Sequence, residues 1–168
     1  MRTCVFDLEA NDLLPDVAVC HCGVFKDIDT KEVFKFRPNE ISDMLGFMET
    51  CSTLIAHNGI GYDWPLLKKL YGYDYPGKKI DTLIMSRLLN PKRQVPFNCP
   101  DKKAGPHGIK SWGYRVGRGK PDYDDWEHFT EDMLHRCSED TEILELVYYE
   151  LLKEQGDDNW ENAFRPTL

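Results

Sequence analysis

The chain has 168 residues, of which 41% are apolar and 12% aromatic, and a net charge of −8. This length and composition predict a single domain, residues 1–168, with one hydrophobic core. No run approaches the roughly 18 apolar residues of a membrane span, and no apolar signal core follows Met1, so we expect no membrane contact and a cytoplasmic location. The six cysteines lack CxxC pairs and are expected to be reduced and mostly buried.

The acidic net charge hides a basic segment. Between Pro91 and Pro121 the chain carries eight Lys or Arg residues and one acidic residue, Asp101, so this segment is +7 and the remainder −15. Such a segment can follow the phosphates of a nucleic acid while acidic groups gather elsewhere, for instance around metal ions. Charge alone leaves a solvated basic loop as the alternative.

The first third of the chain is predicted to form three antiparallel strands followed by a helix. Residues 2–10, 16–27 and 30–38 are rich in β-branched and aromatic side chains, and the third segment alternates with period two. Residues 39–51 show helical spacing of apolar residues, with Asn39 as the expected cap.

Strands and helices then alternate. A strand is predicted over 52–59, a helix over 62–72, and a strand end that continues into a helix over 78–90. Residues 91–105 are rich in proline, lysine and polar residues and are expected to form a long loop. Two helices follow, one closed by Gly117 and separated from the last by a loop over 118–129. The pattern predicts an α/β fold in which helices flank a mixed sheet.

The last helix is predicted to begin at a Thr130 cap and to end before Gly156. Its buried stripe contains an acid, Asp140, among five other residues spaced three and four apart: Met133, Cys137, Leu144, Val147 and Leu151. A bare carboxylate on such a stripe would cost several kcal/mol. Asp140 therefore needs a partner or a metal ion.

Two more acids lie at the predicted end of the first strand. Asp7 and Glu9 are two residues apart, so their side chains leave the same face of the sheet. Two close carboxylates repel each other unless a cation lies between them, and hard oxygen ligands select Mg²⁺ or Mn²⁺. A solvated acidic turn is the alternative for this pair. Asp63, at the start of a predicted helix, is equally consistent with a simple complement to the helix dipole.

Taken together, the acids follow a known order: Asp7-x-Glu9, then Asn58 with Asp63 five residues later, then Asp140 in a long helix. This order resembles that of the DEDD 3′–5′ exonucleases, which have a ribonuclease-H-like fold. The segments DLEANDLL, HNGIGYDWPLLKKL, IDTLIMSRLL and SWGYRVG are most similar to the proofreading domain of the family A DNA polymerases of podophages. The resemblance extends over nearly the whole chain.

The resemblance implies two-metal-ion hydrolysis of single-stranded DNA from its 3′ end to 5′-mononucleotides, with two Mg²⁺ or Mn²⁺ ions. Asp7 would bridge both ions, Glu9 and Asp140 would complete the ion that carries the attacking water, and Asp63 would hold the second. It also implies a phage-encoded protein acting in the host cytoplasm.

The general base has two candidate positions, because the family places either a tyrosine four residues before the last aspartate or a histidine five residues before it. Here these positions are Arg136 and His135. Arginine stays protonated and cannot accept a proton, so we predict His135 as the base and Arg136 as a phosphate contact or charge stabiliser. On a regular helix, however, His135 lies about 140° around the axis from Asp140. It would reach the site only if the helix were distorted.

Further residues are candidates for substrate binding. Leu8 and Ala10, beside the first acidic pair, are expected to contact the terminal base. Asn58 is expected to orient a metal-bound water or a sugar. His107 and Lys110, in the basic segment, are expected to border the substrate groove; the alternative is that this segment packs its rings in the core and leaves its lysine solvated.

Other functions remain open at this stage. An exoribonuclease acting on short RNA would use the same acids, although DNA is favoured over RNA. A weakly active nuclease-fold module would mainly bind single strands or a separate polymerase subunit. A zinc site at Cys20, His21 and Cys22 is disfavoured because adjacent residues of a strand alternate faces. As no polymerase segment follows the last helix, we expect a free-standing exonuclease, a split polymerase subunit or an excised domain.

Overall fold

A computed structural model describes residues 1–119 and 123–157. The predicted domain extends to residue 168, and its last eleven residues and Lys120 lie outside the described part. Five strands form one sheet: β1 (Arg2–Ala10), β2 (Cys20–Asp27), β3 (Val33–Phe36), β4 (Cys51–Ala56) and β5 (Lys78–Asp81). Five α-helices flank it: α1 (Ile41–Met48), α2 (Asp63–Tyr71), α3 (Thr82–Leu89), α4 (Ile109–Arg115) and α5 (Glu131–Asp157).

The sheet is mixed, as predicted. Its strand order is β3-β2-β1-β4-β5; β2 pairs antiparallel with β1 and β3, whereas β4 pairs parallel with β1 and β5. The three parallel strands β1, β4 and β5 therefore end at the same edge of the sheet. In α/β sheets the crevice at the carboxyl ends of such strands is the usual place for a ligand.

The alternation of β1 sends its side chains to two different helical layers. Cys4, Phe6 and Leu8 pack into the core cluster that includes residues of α1 and α2. Val5 points the other way and packs against Leu144 of α5. The odd-numbered residues of β1 thus face α5, which is why acids at alternate positions of this strand meet an acid from that helix.

The helix α5 follows its predicted pattern closely. Thr130 Oγ1 accepts a hydrogen bond of 3.1 Å from the backbone N–H of Met133, which confirms the cap. All six residues of the stripe are buried, including Asp140 at 5% exposure. The helix does not end before Gly156 but continues to Asp157.

The predicted cap of α1 is wrong. Asn39 lies within a short 3₁₀ turn, Pro38–Glu40, and α1 begins only at Ile41. Glu40 supplies the capping carboxylate of this turn, accepting a hydrogen bond of 2.8 Å from the backbone N–H of Arg37. Proline at the first position of the turn favours this arrangement because it has no N–H to satisfy.

The cysteines lie in the hydrophobic core. All six cysteines are free and buried, as expected for reduced thiols used as small core residues. Among the described residues, no helix combines the length and the apolar composition that crossing a membrane would require.

Candidate active site

A cleft of about 570 Å³ opens at the carboxyl edge of β1, β4 and β5. Its walls include all four acids that the sequence singled out: Asp7, Glu9, Asp63 and Asp140. They come from β1, from the first turn of α2 and from the middle of α5. The topology thus brings together carboxylates that are up to 133 residues apart in sequence.

Asp7 and Glu9 line the cleft, and the buried Cys137 of α5 lies close to both of them. One potential metal-ligating atom from each of the three residues lies within 4.8 Å of the other two. The Cys137 thiol donates a hydrogen bond of 3.3 Å to the backbone carbonyl of Asp7. Burial raises the pKa of this thiol well above its ordinary value, so it stays protonated and neutral. The available ligands are therefore carboxylate oxygens.

Asp63 is the most deeply buried of the four acids, at 3% exposure. Its pKa is raised well above the ordinary value, first by burial and then by the negative charge of Asp7. Its Oδ1 atom has no hydrogen-bond partner among the described residues. A buried carboxyl oxygen of this kind beside a second carboxylate is a suitable ligand for a divalent cation, and an all-oxygen set fits Mg²⁺ or Mn²⁺.

The loop between β4 and α2, residues 57–62, is fixed by an acid that sequence analysis did not identify. The Asp81 carboxylate, at the end of β5, accepts hydrogen bonds of 3.0 Å from the backbone N–H groups of Asn58 and Ile60. It also caps α3 by accepting from Leu83 N at 2.9 Å. Asn58 adopts a left-handed backbone conformation with φ of 65°. Asp81 thereby holds the loop that delivers Asn58 and Asp63 to the cleft.

A second, smaller pocket of about 390 Å³ adjoins the cleft and shares part of its wall. Leu8 and Ala10, both predicted to contact the terminal base, line this pocket. Two aromatic residues that were not predicted, Tyr62 and Trp126, line it as well. The Tyr62 hydroxyl donates a hydrogen bond of 2.6 Å to the backbone carbonyl of Asp12, which fixes its ring. The pocket is thus partly aromatic, as a stacking surface for a base requires.

His107 lines the cleft, as predicted for a groove residue. Its Nδ1 atom lies 2.9 Å from Ser86 Oγ, which also accepts a hydrogen bond of 3.1 Å from Trp112 Nε1. Its pKa is lowered by burial and by the positive charges of nearby arginines. The contact with Ser86 therefore fixes the His107 ring, and the lowered pKa favours its neutral form near neutral pH.

The other predicted groove residue, Lys110, does not line the cleft. Its ammonium group lies 3.2 Å from the Asp101 carboxylate, with which it forms a salt bridge. Asn58 does line the cleft, as expected.

The structure does not bring His135 to the acids. It is exposed on α5 and is not among the residues that line the cleft. The helix is regular from Glu131 onward, so the five-residue spacing turns His135 away from Asp140. Its role as the general base stays a prediction, and the geometry does not support it.

Arg136 is half-buried and contacts aromatic rings. Its guanidinium carbon lies 5.1 Å from the ring centroid of Trp126 and 5.5 Å from that of Tyr123. The two rings pack edge to face with centroids 5.0 Å apart. Arg136 thus supports Trp126 in the wall of the smaller pocket, and its role as a phosphate contact or charge stabiliser stays a prediction.

Part of the charge of the basic segment is paired with acids of α5. Arg93 pairs with Glu154 at 2.8 Å and Arg118 with Glu139 at 2.9 Å. Long-range pairs of this kind leave no signal in local sequence. Two further cleft residues that sequence analysis did not single out, His57 and Arg87, lie within the segments HNGIGYDWPLLKKL and IDTLIMSRLL that carry the family resemblance.

Comparisons with known proteins agree with this geometry. No protein-family model matches the chain. The chain is 29% identical to the DNA-directed DNA polymerases of Escherichia phage T7 and Enterobacteria phage T3, over 90% of its own length. It spans 27% of the length of each of these curated relatives.

Solved structures share the fold. Brucella melitensis NrnC with bound Mg²⁺ matches with a TM-score of 0.67 and 17% identity, over 95% of this chain and 76% of that one. Escherichia coli RNase D, an exoribonuclease involved in structured RNA processing, matches with a TM-score of 0.63 and 16% identity, over 95% of this chain and 41% of that one. The predicted resemblance is confirmed: the chain has the ribonuclease-H-like fold of the DEDD exonucleases and is related in sequence to the phage T7 and T3 DNA polymerases.

Proposed function

We propose that this chain is a metal-dependent 3′–5′ exonuclease that hydrolyses single-stranded nucleic acid to 5′-mononucleotides. The observation that carries the proposal is the convergence of Asp7, Glu9, Asp63 and Asp140 on one cleft. Structural acids seldom gather in this way, because each carboxylate raises the cost of ionising its neighbours unless cations are present.

The four acids would hold two divalent cations, Mg²⁺ or Mn²⁺. Asp7, near both Glu9 and Asp63, is the natural bridging ligand; Glu9 and Asp140 would complete one ion and Asp63 the other. When bound, the ions would activate the attacking water and stabilise the negative charge on the leaving 3′ oxygen. The protein contributes a rigid frame: the acids stand on a strand and two helices, so little reorganisation accompanies the reaction.

The substrate would lie across both pockets. The smaller pocket, lined by Leu8, Ala10, Tyr62 and Trp126, would take the base of the 3′-terminal nucleotide, while the scissile phosphate lies over the acids. Asn58 and His107 border the cleft beside that phosphate and would contact its oxygens or the sugar.

No side chain of α5 is assigned here as the general base. His135 is exposed outside the cleft, and Arg136 is protonated and packed on Trp126. Proton removal from the attacking water would instead rely on the lowered pKa of a metal-bound water and on solvent.

DNA is the proposed substrate, because the curated relatives are named DNA polymerases. This kinship also suggests a phage-encoded protein that works in the host cytoplasm, with a polymerase as its natural partner. RNA is the second candidate: RNase D is described as an exoribonuclease, and NrnC is also known with bound pGG.

The test uses 5′-labelled single-stranded DNA and RNA of the same sequence, with Mg²⁺, Mn²⁺ or a chelator. We expect a stepwise ladder from the 3′ end with either metal and none with the chelator. The variant Asp7→Ala should be slower by about 10²–10⁴-fold, because several kcal/mol of transition-state stabilisation is lost. The exposed Asp132 of α5 offers a matched control, Asp132→Asn, which should keep the full rate.

The outcomes separate the candidates. A ladder on DNA that exceeds the one on RNA supports the DNA assignment, and the reverse supports an exoribonuclease. Binding of either strand without any ladder, under both metals, would sink the enzymatic proposal and favour a binding module.

A further inference from the structure

A third pocket, of about 450 Å³, lies at the far end of α4 from the catalytic cleft. Three basic and two acidic side chains line it, so its net charge is +1 in an otherwise acidic protein. The basic residues are Arg93, Arg115 and Lys153; the acids are Glu150 and Glu154. Nothing in the proposed hydrolysis uses these groups.

The two arginines contact the same aromatic ring. Their guanidinium carbons lie 4.6 Å (Arg93) and 4.8 Å (Arg115) from the ring centroid of Trp112. Burial and the charge of Arg93 lower the pKa of Arg115. One carboxylate, Glu154, pairs with Arg93, accepting from Nη2 at 2.8 and 2.9 Å. Two arginines thus contact one ring, and Glu154 pairs directly with one of them, Arg93.

The donors of these arginines are not all used. Arg93 Nε and Arg115 Nη1 are buried, and neither has a hydrogen-bond partner within residues 1–119 and 123–157. The Arg93 side chain is only 10% exposed. A buried guanidinium N–H without an acceptor is costly, so a site that presents such donors is suited to an oxyanion. In a nucleic acid the matching oxyanion is the backbone phosphate, whose geometry the planar guanidinium group of arginine can bind with two parallel hydrogen bonds.

The helix α4 extends from the catalytic cleft to this pocket. Two residues at the start of α4 line the cleft: Gly108, which precedes the helix, and Ile109, its first residue. Arg115, at the end of α4, lines the third pocket. Seven helical residues span about 10 Å. Trp112, which carries the two arginines, donates to Ser86, and Ser86 contacts His107 of the cleft. A nucleic-acid strand with its 3′ end in the cleft would reach the third pocket within a few nucleotides.

We propose that this pocket, built by Arg93, Arg115 and Lys153 around Trp112, binds a backbone phosphate of the substrate strand upstream of its 3′ end. The inference rests on the proposed exonuclease function and adds a second point of attachment to it. Such a contact gives no base specificity but makes affinity depend on strand length and on salt. Lys153, which is exposed at the rim, would add charge without forming part of the core.

The test compares a dinucleotide, which is too short to reach the pocket, with an octanucleotide. Hydrolysis of both is measured for wild type, Arg115→Gln and Lys153→Gln, with Lys35→Gln on the distant edge strand β3 as the charge-matched control. We expect Arg115→Gln to raise KM for the octanucleotide by about tenfold and to leave the dinucleotide unchanged. Lys153→Gln should act in the same direction without any effect on the melting temperature.

A binding measurement keeps the two proposals separable. Fluorescence anisotropy of a labelled octanucleotide on an Asp7→Ala background does not depend on hydrolysis. Arg115→Gln and Lys153→Gln should each reduce the slope of log K against log salt by about 0.7, the value for one phosphate of a single strand. If wild type hydrolyses nothing, the exonuclease proposal fails while this slope still tests the pocket.

Three results would overturn the inference. The first is an equal change of KM for both substrate lengths. The second is an unchanged salt slope in both variants. The third is inhibition by inorganic phosphate that disappears in Arg115→Gln while the octanucleotide KM stays the same, which would assign the pocket to a free phosphate.

Discussion

The Asp81 carboxylate at the end of β5 accepts a hydrogen bond of 3.0 Å from the backbone N–H of Asn58 at the end of β4. This bond crosses the carboxyl edge of the sheet and holds Asn58 in its left-handed conformation. Because the loop leads directly into Asp63, the position of a candidate metal ligand depends on an acid that does not itself line the cleft. Asp81 is therefore a positioning residue.

Replacing Asp81 should weaken both the fold and the site. The Oδ1 atom accepts from Asn58 N and Leu83 N, and Oδ2 from Ile60 N. Asp81→Ala removes all of these bonds and should lower the free energy of unfolding by about 1–2 kcal/mol, as for the loss of a helix cap. Asp81→Asn can keep the Oδ1 bonds and should be milder. Denaturant unfolding checks the order, and equal stability of all three proteins would contradict it.

Asp63→Asn should stabilise the protein when divalent ions are absent. In wild type, burial and the charge of Asp7 oppose ionisation of Asp63, and the amide removes that charge while keeping the shape. We expect a higher melting temperature than wild type in chelator. With added Mg²⁺ the wild type should gain stability by mass action and Asp63→Asn should gain less. A wild-type melting temperature that does not respond to Mg²⁺ or Mn²⁺ would contradict the metal assignment.

His135→Ala should keep nearly the full rate of hydrolysis, because this side chain is exposed outside the cleft. Arg136→Ala should raise KM, because it removes the cation that packs on Trp126 in the wall of the smaller pocket. Arg136→Lys keeps the charge and should be intermediate. Steady-state kinetics on single-stranded DNA separate the two residues. A severe loss of kcat in His135→Ala, with its pH dependence flattened, would restore that histidine as the base.

The sequence was sufficient for the parts of the site that follow a local rule. Alternation in β1 predicts that Asp7 and Glu9 share a face, and the three-and-four spacing of α5 predicts that Asp140 is buried. Trp126 and Asp81 escaped prediction because their roles arise from contacts between distant segments. The role of His135 stays a prediction that the regular helix α5 does not favour, because a five-residue spacing does not return to the same side of a helix.

His107 should make stability sensitive to mildly acidic pH. Its pKa in the folded protein is lowered from 6.5 by burial and by Arg93, Arg87 and Arg115. The unfolded chain therefore takes up the proton first, so the stabilisation is complete above pH 6.5 and is lost as the pH falls below it. His107→Gln should remove this part of the pH dependence. Unfolding curves of the two proteins between neutral and mildly acidic pH test this, and parallel curves would refute it.

Glu145 anchors α5 to the sheet through two lysines. Its carboxylate pairs with Lys26 of β2 and with Lys31 of the following turn, and the Lys26 side chain is mostly buried. Burial by itself would raise the pKa of Glu145, but the two lysines outweigh it and the pKa is lowered from 4.5. The pair therefore contributes stability above pH 4.5, which is lost as the pH falls through the lower folded-state value.

Glu145→Gln should consequently lower the free energy of unfolding at neutral pH by about 1–3 kcal/mol, because Lys26 loses one of its two carboxylate partners inside the protein. Glu142 remains 2.7 Å from Lys26 and limits the loss. The difference from wild type should shrink as the pH falls below 4.5, since protonation removes the same charge in wild type. Urea unfolding at both pH values measures it, with the exposed Asp132→Asn as the control. A difference that is constant with pH would mean that Glu145 stabilises α5 by packing, with no contribution from its charge.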